Sequence, residues 1–416
     1  MYYRPAMGNG AVPRLLPVAA ALSALALPTQ AGAATPAPPP KLPAKAAIVT
    51  VLNTGQRLYG LNAQQELAIA STTKLMTALQ TFEHASLQQT FTEPNYHFAP
   101  DDSQIYLTPG ERMSVHDLMI AMLLPSADDA AEDLAYNVGG GSVSRFVAMM
   151  NRGARKLGLT HTHYSTPIGL DTPGNYSSAS DLVKLAGYLL EHYPFFAQVV
   201  ALPSAVLKTG DHPRYVVNRN DLVARFSWIH GVKTGHTAKA GYVLVAEGRR
   251  DGMTLLSAVL GTPSEAARDS STLALLDWGY ANFRVATPLT AGAVVARPTA
   301  NGYSDRHASV TGAHNFSWAV PRGKGLHVKL NLPHDVSGPL KRGAHVGTAT
   351  VLDGAHPVGR VGLVLERALP GLSAFTAAAR FITRPITLVV LIVVLAALAG
   401  LTLRGRVRRR ARSWTA

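Results

Sequence analysis

Cysteine is absent from all 416 residues. That excludes a disulfide framework, thiolate catalysis and any Cys-based metal site, and it suits an exported protein without assigning a compartment. Acidic residues are also scarce. The 25 Asp and Glu stand against 39 Lys and Arg, a formal charge of +14. Much of that excess is local: six Arg lie in the tail from Arg404 to Ala416, and two lie before Ala33. The remaining +6 suits an anionic envelope and gives no argument for nucleic acid. Hydrophobic residues, at 47%, are ample for a packed core, and the length suggests two or three domains.

Both ends carry targeting features. Arg4 and Arg14, the apolar run Leu15 to Leu27 and the small-residue site Ala31-Gly32-Ala33 read as a signal peptide over residues 1–33. Residues 34–45, rich in Pro, form a linker that cannot be a helix or a central strand. At the other end, residues 386–403 hold no charge, and twelve of them are Leu, Ile or Val. As a helix this stretch measures about 27 Å, near the roughly 30 Å of bilayer hydrocarbon. Insertion is favoured by about 5 kcal/mol. The six Arg that follow place the basic tail, residues 404–416, on the cytoplasmic side and the rest of the chain outside. Residues 373–385 form a juxtamembrane segment.

Between the ends the texture is α/β. Ala46 to Leu52 reads as a buried strand, Asn53-Thr54-Gly55 as a turn and Gln56 to Tyr59 as the returning strand. Helices are expected from Ser71 to about Glu83, over Ser114–Leu124, Asp128–Tyr136 and Val143–Leu157, and from a Ser180-Asp181 cap to about Glu191. Tyr164 to Asn175 is a long irregular loop. Val232–Thr237, Ala240–Glu247 and Met253–Leu260 are strands, with a turn at Arg249–Gly252, and Ser264–Tyr280 closes with a helix. Residues 285–372 change to short apolar runs broken by Gly, Pro and Asn, a small all-β domain.

The chain is organised around Ala70-Ser71-Thr72-Thr73-Lys74. Residues at i and i+3 share a helix face, so the Ser71 hydroxyl and the Lys74 amine lie side by side. Serine is a poor nucleophile until a neighbour takes its proton, and a neutral lysine can. The same residues could equally be an ordinary capped helix start. Two later motifs decide between these: Ser126-Ala127-Asp128, after the helix that breaks at Pro125, and Lys233-Thr234-Gly235 in a strand.

Taken with the words IASTTKLMTAL, LLPSADDAAEDLA, IGLD, YSSASDL, NRNDLV and GVKTGHTAKAGYVLV, these three ordered motifs resemble the serine penicillin-recognising enzymes. The closer resemblance is to the D-alanyl-D-alanine carboxypeptidases, over about Ala46 to Phe283. It implies an α/β (α+β) β-lactamase/transpeptidase-like domain over residues 46–284, an antiparallel sheet flanked by helices, ahead of the small β domain and the membrane helix. It implies peptidoglycan stem peptides ending in D-Ala-D-Ala as substrate, β-lactams as covalent inhibitors, and no cofactor or metal. Ser71 would form the acyl-enzyme, Lys74 act as base and Ser126 pass a proton to the leaving amine. The backbone N–H groups of Ser71 and His236 match the oxyanion hole. Lys233, Thr234 and Gly235 match the substrate-carboxylate site, with Arg268 assisting.

Asp128 departs from the family, which usually has Asn there. A carboxylate beside Lys74 favours its ammonium form and opposes a neutral base, so the chain is expected either to be slower at neutral pH than an Asn-bearing relative or to keep Asp128 protonated. Three lesser features are expected to be structural: a second K-T-G at Lys208–Gly210 as a turn, His161 and His163 as loop surface, and Gly139-Gly140-Gly141 as a helix connection. A D,D-endopeptidase uses the same machinery. A class A β-lactamase would need a Glu in the loop from Thr160 to Asp181, which has none. The third alternative is a decayed, wall-binding homologue weakened at Asp128.

Overall fold

The computed structural model describes residues 36–96, 102–382 and 385–412, so the signal-peptide reading of residues 1–33 lies outside the described residues. In the first globular part the elements are β1 (Ala46–Val51), β2 (Gln56–Leu61), α1 (Lys74–His84), β3 (Thr90–Thr92) and β4 (Arg112–Ser114). The helices α2 (Val115–Leu123), α3 (Asp128–Val138), α4 (Val143–Lys156), α5 (Ala179–His192) and α6 (Pro194–Val200) follow. Then come β5 (Ser204–Leu207), β6 (Arg214–Val217), α7 (Leu222–Arg225), β7 (Ile229–Thr237), β8 (Gly241–Arg250), β9 (Met253–Thr262) and α8 (Glu265–Asn282).

Five strands form one antiparallel sheet in the order β2-β1-β9-β8-β7. Its central strands read as continuous apolar runs because both faces are covered. In β1, Ala46 and Ile48 join the core formed with α1 to α6, while Ala47, Val49 and Val51 join the core under α8. The period-2 pleat divides β8 and β9 in the same way, with Val243 and Val245 on the first face and Leu244 and Ala246 on the second.

Several boundaries differ from the sequence reading. The cap of α5 is Ser178, whose hydroxyl accepts the Asp181 N–H, not the Ser180-Asp181 pair. Strand β8 runs on to Arg250, so the turn narrows to Asp251-Gly252, both at positive φ. The hairpins β3–β4 and β5–β6 and the helix α6 were not anticipated, since each is too short to set up a clear period. Part of the Pro-rich linker is packed as an extended strap: the Trp278 indole N–H donates to the Ala37 carbonyl at 2.8 Å.

A second, all-β part follows. Phe283–Leu289 pairs with Phe316–Pro321, and a five-stranded sheet runs in the order Val294–Ala296, Val310–Gly312, His356–Leu365, His345–Asp353 and Leu326–Asn331. The Gln56 side chain bridges the two parts, exchanging two hydrogen bonds with the Ala319 backbone at 3.0 and 2.9 Å. Within the juxtamembrane stretch, α9 spans Ala374–Ile382. The last helix, α10 (Pro385–Arg412), contains a span over Pro385–Arg404 of mean hydropathy 2.9, none of it buried. A core helix would have covered those side chains. This one is long and apolar enough to cross a membrane.

Candidate active site

The turn at Ala70–Thr73 feeds into α1 and sets the geometry. Ala70 has φ +47°, a left-handed conformation that costs a residue with a Cβ on the order of 1–3 kcal/mol. Lys74 is the first residue of α1 and fully buried. An ammonium has three N–H donors, and three acceptors surround this one. They are Ser71 Oγ at 2.9 Å, Asp128 Oδ1 at 2.6 Å and the Ile168 carbonyl at 2.9 Å.

Asp128 opens α3, where helix N-termini favour carboxylates. Its second oxygen accepts the Ser103 N–H at 2.8 Å, and its own N–H donates to the Ser103 carbonyl at 2.6 Å. The carboxylate therefore ties Lys74 to the segment at Ser103. One turn further, Glu132 is buried on the same helix face, and its carboxyl is raised to about 7 by burial and then by the Asp128 charge. Ser126 lies just ahead of α3 with φ +66°, and its buried hydroxyl has no hydrogen-bond partner among the described residues.

Strand β7 supplies the opposite wall. Lys233 is 1% exposed, and its ammonium donates to the Thr234 carbonyl at 3.2 Å. Burial, and then the charge of Lys74, hold it well below the ordinary lysine range. Gly235 is there because nothing larger fits: a Cβ would lie 2.9 Å from both the Ser71 nitrogen and the Ala70 Cβ. His236 is exposed and stacks on Tyr242, with ring centroids 4.0 Å apart. Arg268 is buried, and its charge bears on Lys233, yet its Nε and Nη2 are engaged by Asp269 and Glu265 on its own helix. The structure thus joins Ser71, Lys74 and Asp128 by hydrogen bonds and sets Gly235 of β7 against the Ser71 turn, while Arg268 is engaged by its own helix.

What residue patterns missed is the support beneath Lys74. The loop from Tyr164 to Asn175 packs directly on the Ala70–Thr73 turn. Ile168 accepts from Lys74, Pro167 accepts from Thr77 Oγ1 at 2.6 Å, and Asn175 donates to Thr73 Oγ1 at 3.1 Å. Gly169, at φ +98°, leaves room for the Ala70 carbonyl. Asp171 accepts from Thr237 Oγ1 and the Lys239 N–H, fastening this loop to the end of β7. The word IGLD carried the signal, but nothing in its composition says that a backbone carbonyl would be the functional atom.

The remaining candidates fall elsewhere. Lys208-Thr209-Gly210 is the β5–β6 connection, its backbone held by Asp117. His163 turns its Nδ1 to the Gly174 carbonyl at 2.7 Å, and His161 lies 3.6 Å from Glu66. The glycine triplet joins α3 to α4.

A cleft of this kind, with a serine, a buried lysine and a K-T-G strand on an antiparallel α/β sheet, defines a serine acyl-transferring enzyme of the penicillin-recognising class. Residues 33–264 match the peptidase S11 family, D-alanyl-D-alanine carboxypeptidase. Among curated relatives, the D-alanyl-D-alanine carboxypeptidase DacC of Escherichia coli is 33% identical over 326 residues, covering 74% of this chain and 80% of its own. Penicillin-binding protein 5 of Haemophilus influenzae shares the fold with a TM-score of 0.66 at 27% identity, over 80% of this chain and 99% of that one. The Streptomyces K15 DD-transpeptidase matches at TM-score 0.55 and 32% identity, over 59% of this chain and all of that one. The chain belongs to the peptidase S11 family and is a serine-type D-alanyl-D-alanine carboxypeptidase of peptidoglycan.

Proposed function

We propose that Ser71 attacks the penultimate D-Ala carbonyl of a stem peptide. The Ser71 Oγ–carbon bond forms, the amide C–N bond breaks and the terminal D-Ala leaves. Water then releases the shortened peptide. The observation that carries this reading is the 2.9 Å contact between Lys74 Nζ and Ser71 Oγ. Lys74, when neutral, takes the hydroxyl proton. Ser126, with its unengaged hydroxyl, passes a proton to the leaving amine. The backbone N–H groups of Ser71 and His236 receive the developing oxyanion.

Lys233 and Thr234 receive the terminal carboxylate. Lys233 is buried and held well below the ordinary lysine range by burial and then by the Lys74 charge, so an arriving carboxylate favours the charged form that the fold disfavours. β-Lactams acylate the same serine. The apolar part of α10 anchors the chain, with the Arg-rich end cytoplasmic and the catalytic part outside.

The test is fluorescent-penicillin labelling and D-Ala release by the full chain in detergent, beside Ser71→Ala. A covalent adduct and D-Ala release that both vanish in Ser71→Ala are expected. A wild-type protein that neither labels nor releases D-Ala would sink the assignment, and rapid penicillin turnover would indicate a β-lactamase.

A further inference from the structure

Three acceptors take the three protons of the Lys74 ammonium, yet a further buried carboxyl beside it, Glu132, has no part in the acyl transfer. Glu132 is 8% exposed and follows Asp128 by four residues on α3, so the two carboxyls share one helix face, a turn apart. That helix packs on α1, which opens with Lys74. The segment that leads into Ser103, whose N–H holds Asp128, brings Asp102 to the same cluster. The Tyr96 hydroxyl donates to Asp102 at 3.3 Å and completes it.

The charges of this cluster do not balance. One buried ammonium faces the carboxyls of Asp128, Glu132 and Asp102, while Lys233, on β7, opposes that ammonium with a charge of its own sign. A carboxyl buried among like charges keeps its proton, and Glu132 keeps its proton until about pH 7 through burial and then the Asp128 charge. Its titration is coupled to that of Lys74, since the charge that Glu132 gains on ionising favours the ammonium beside it. A lysine base alone would be freed steadily as pH rises. Here the proton that leaves near neutrality comes from Glu132, and the charge left behind keeps Lys74 protonated further into the alkaline range.

We propose that Glu132 is a positioning residue that governs the protonation of Lys74. Neutral, it leaves the lysine with Asp128 as its hydrogen-bonded counter-charge. Ionised, it adds a second negative charge and holds the lysine as ammonium, so acylation gains less from alkaline pH than the Lys74–Ser71 pair alone would. This rests on the Ser71 reading, in which neutral Lys74 takes the hydroxyl proton.

The two carboxyls of α3 thereby divide the work. Asp128 touches Lys74 at 2.6 Å and the Ser103 N–H at 2.8 Å, so replacing it alters contacts as well as charge. Glu132 acts at one remove, through charge, and Glu132→Gln removes that charge while keeping the shape.

The test is the rate of penicillin acylation of the full chain in detergent between about pH 5.5 and 9.5, for the wild type, Glu132→Gln, Asp128→Asn and the double variant. Below about pH 6 the wild type and Glu132→Gln should react alike. Above neutrality the variant should pull ahead, by up to roughly tenfold near pH 9, which corresponds to about one unit in the Lys74 titration. In the Asp128→Asn background the difference made by Glu132→Gln should open at lower pH, because Asp128 no longer supports the Glu132 proton. Wild-type protein carrying isotope-labelled glutamate should also show a protonated-carboxyl infrared band that fades around pH 7, a readout that needs no substitution. Absence of that band would overturn the proposal. So would profiles that stay parallel across pH, which reduce Glu132 to a packing role while the Ser71 reading stands. A wild type that is never acylated would remove the Ser71 reading, and this proposal with it.

Discussion

The sequence contains Lys-Thr-Gly twice, and the fold puts the two copies to opposite uses. Lys233–Gly235 lies within β7, pressed against the Ser71 turn, with its lysine buried. Lys208–Gly210 caps a hairpin with its lysine exposed, and Asp117 accepts from the Lys208 and Thr209 N–H groups at 2.8 Å and the Thr209 hydroxyl at 2.7 Å. In the first copy, the side chains of Lys233 and Thr234 are buried and the backbone belongs to a sheet. In the second, the backbone groups are what the fold uses. The chemistry of the motif therefore resides in its strand context rather than in its three letters.

The largest expected effect breaks this comparison directly. Lys233→Ala should cut kcat/KM for D-Ala release by about 10²–10³, the cost typical of losing a preorganised charge at a reacting group. Lys208→Ala should stay within about twofold. Steady-state D-Ala release checks both, and a comparable loss from Lys208→Ala would erase the distinction.

The glycines sharpen it. In Gly235→Ala the new Cβ would push on the Ser71 nitrogen and Ala70, both 2.9 Å away, and on Val243. Displacing the nucleophile turn in this way should cost roughly tenfold to a hundredfold in acylation. Gly210→Ala meets Met113 and the Arg214–Glu111 pair at φ +95°. It should cost about 2 kcal/mol of stability and leave turnover per folded molecule intact. Penicillin-acylation rates set beside thermal melts separate the two.

A smaller effect belongs to Asp128. Replacing it with Asn removes the negative charge beside Lys74 and favours the neutral base, so Asp128→Asn should raise neutral-pH acylation several-fold. The amide can keep only one of the two acceptor contacts, to Lys74 or to the Ser103 N–H, and should lose about 1 kcal/mol in stability. Acylation rates across pH are the measurement. No rise near pH 7 would mean that the carboxylate's hold on Ser103 matters more than its charge.

Much of this was legible in the residues. The three motifs, the apolar runs of β1, β8 and β9 and the uncharged stretch at 386–403 each obey a short-range rule of period, spacing or length. What stayed hidden depends on contacts distant in sequence. Ile168 meets Lys74 across 94 residues, and Asp128 meets Ser103 through its backbone, which no side-chain pattern encodes. Asp117 makes the second K-T-G structural from 91 residues away. The strained φ values at Ala70, Tyr106 and Ser126 were equally invisible, since nothing in Ala, Tyr or Ser marks a positive φ.

The two regions should also titrate in opposite senses. Near the reaction centre, Glu132 is raised to about 7 by burial and then by Asp128, with Lys74 opposing and Asp102 adding to the rise. Asp133, on the same helix, is raised to about 7 by burial and then by Glu93. Both are protonated more readily folded than unfolded, so their stabilising contribution is complete below about 4.5 for Glu132 and about 3.8 for Asp133 and is lost as pH rises through about 7. Around the hairpin the signs reverse. Burial alone would lift Glu111, but hydrogen bonds from Arg214, Thr108 and Asp211 outweigh it and bring it to about 2. Asp117 is likewise held low against burial by His116, Thr209 and Lys208. Their contribution is present above about 4 and fades as pH falls toward the folded values. Calorimetric melts between about pH 3 and 9 should therefore decline at both ends. Glu132→Gln should remove on the order of 2 kcal/mol of the decline between about pH 5 and 8, and leave the acid limb alone. Asp117→Asn should lower stability at neutral pH while flattening only the acid limb. If Glu132→Gln left the alkaline slope unchanged, the carboxyl would already be charged when folded, and Lys74 would face two carboxylates at neutral pH instead of one.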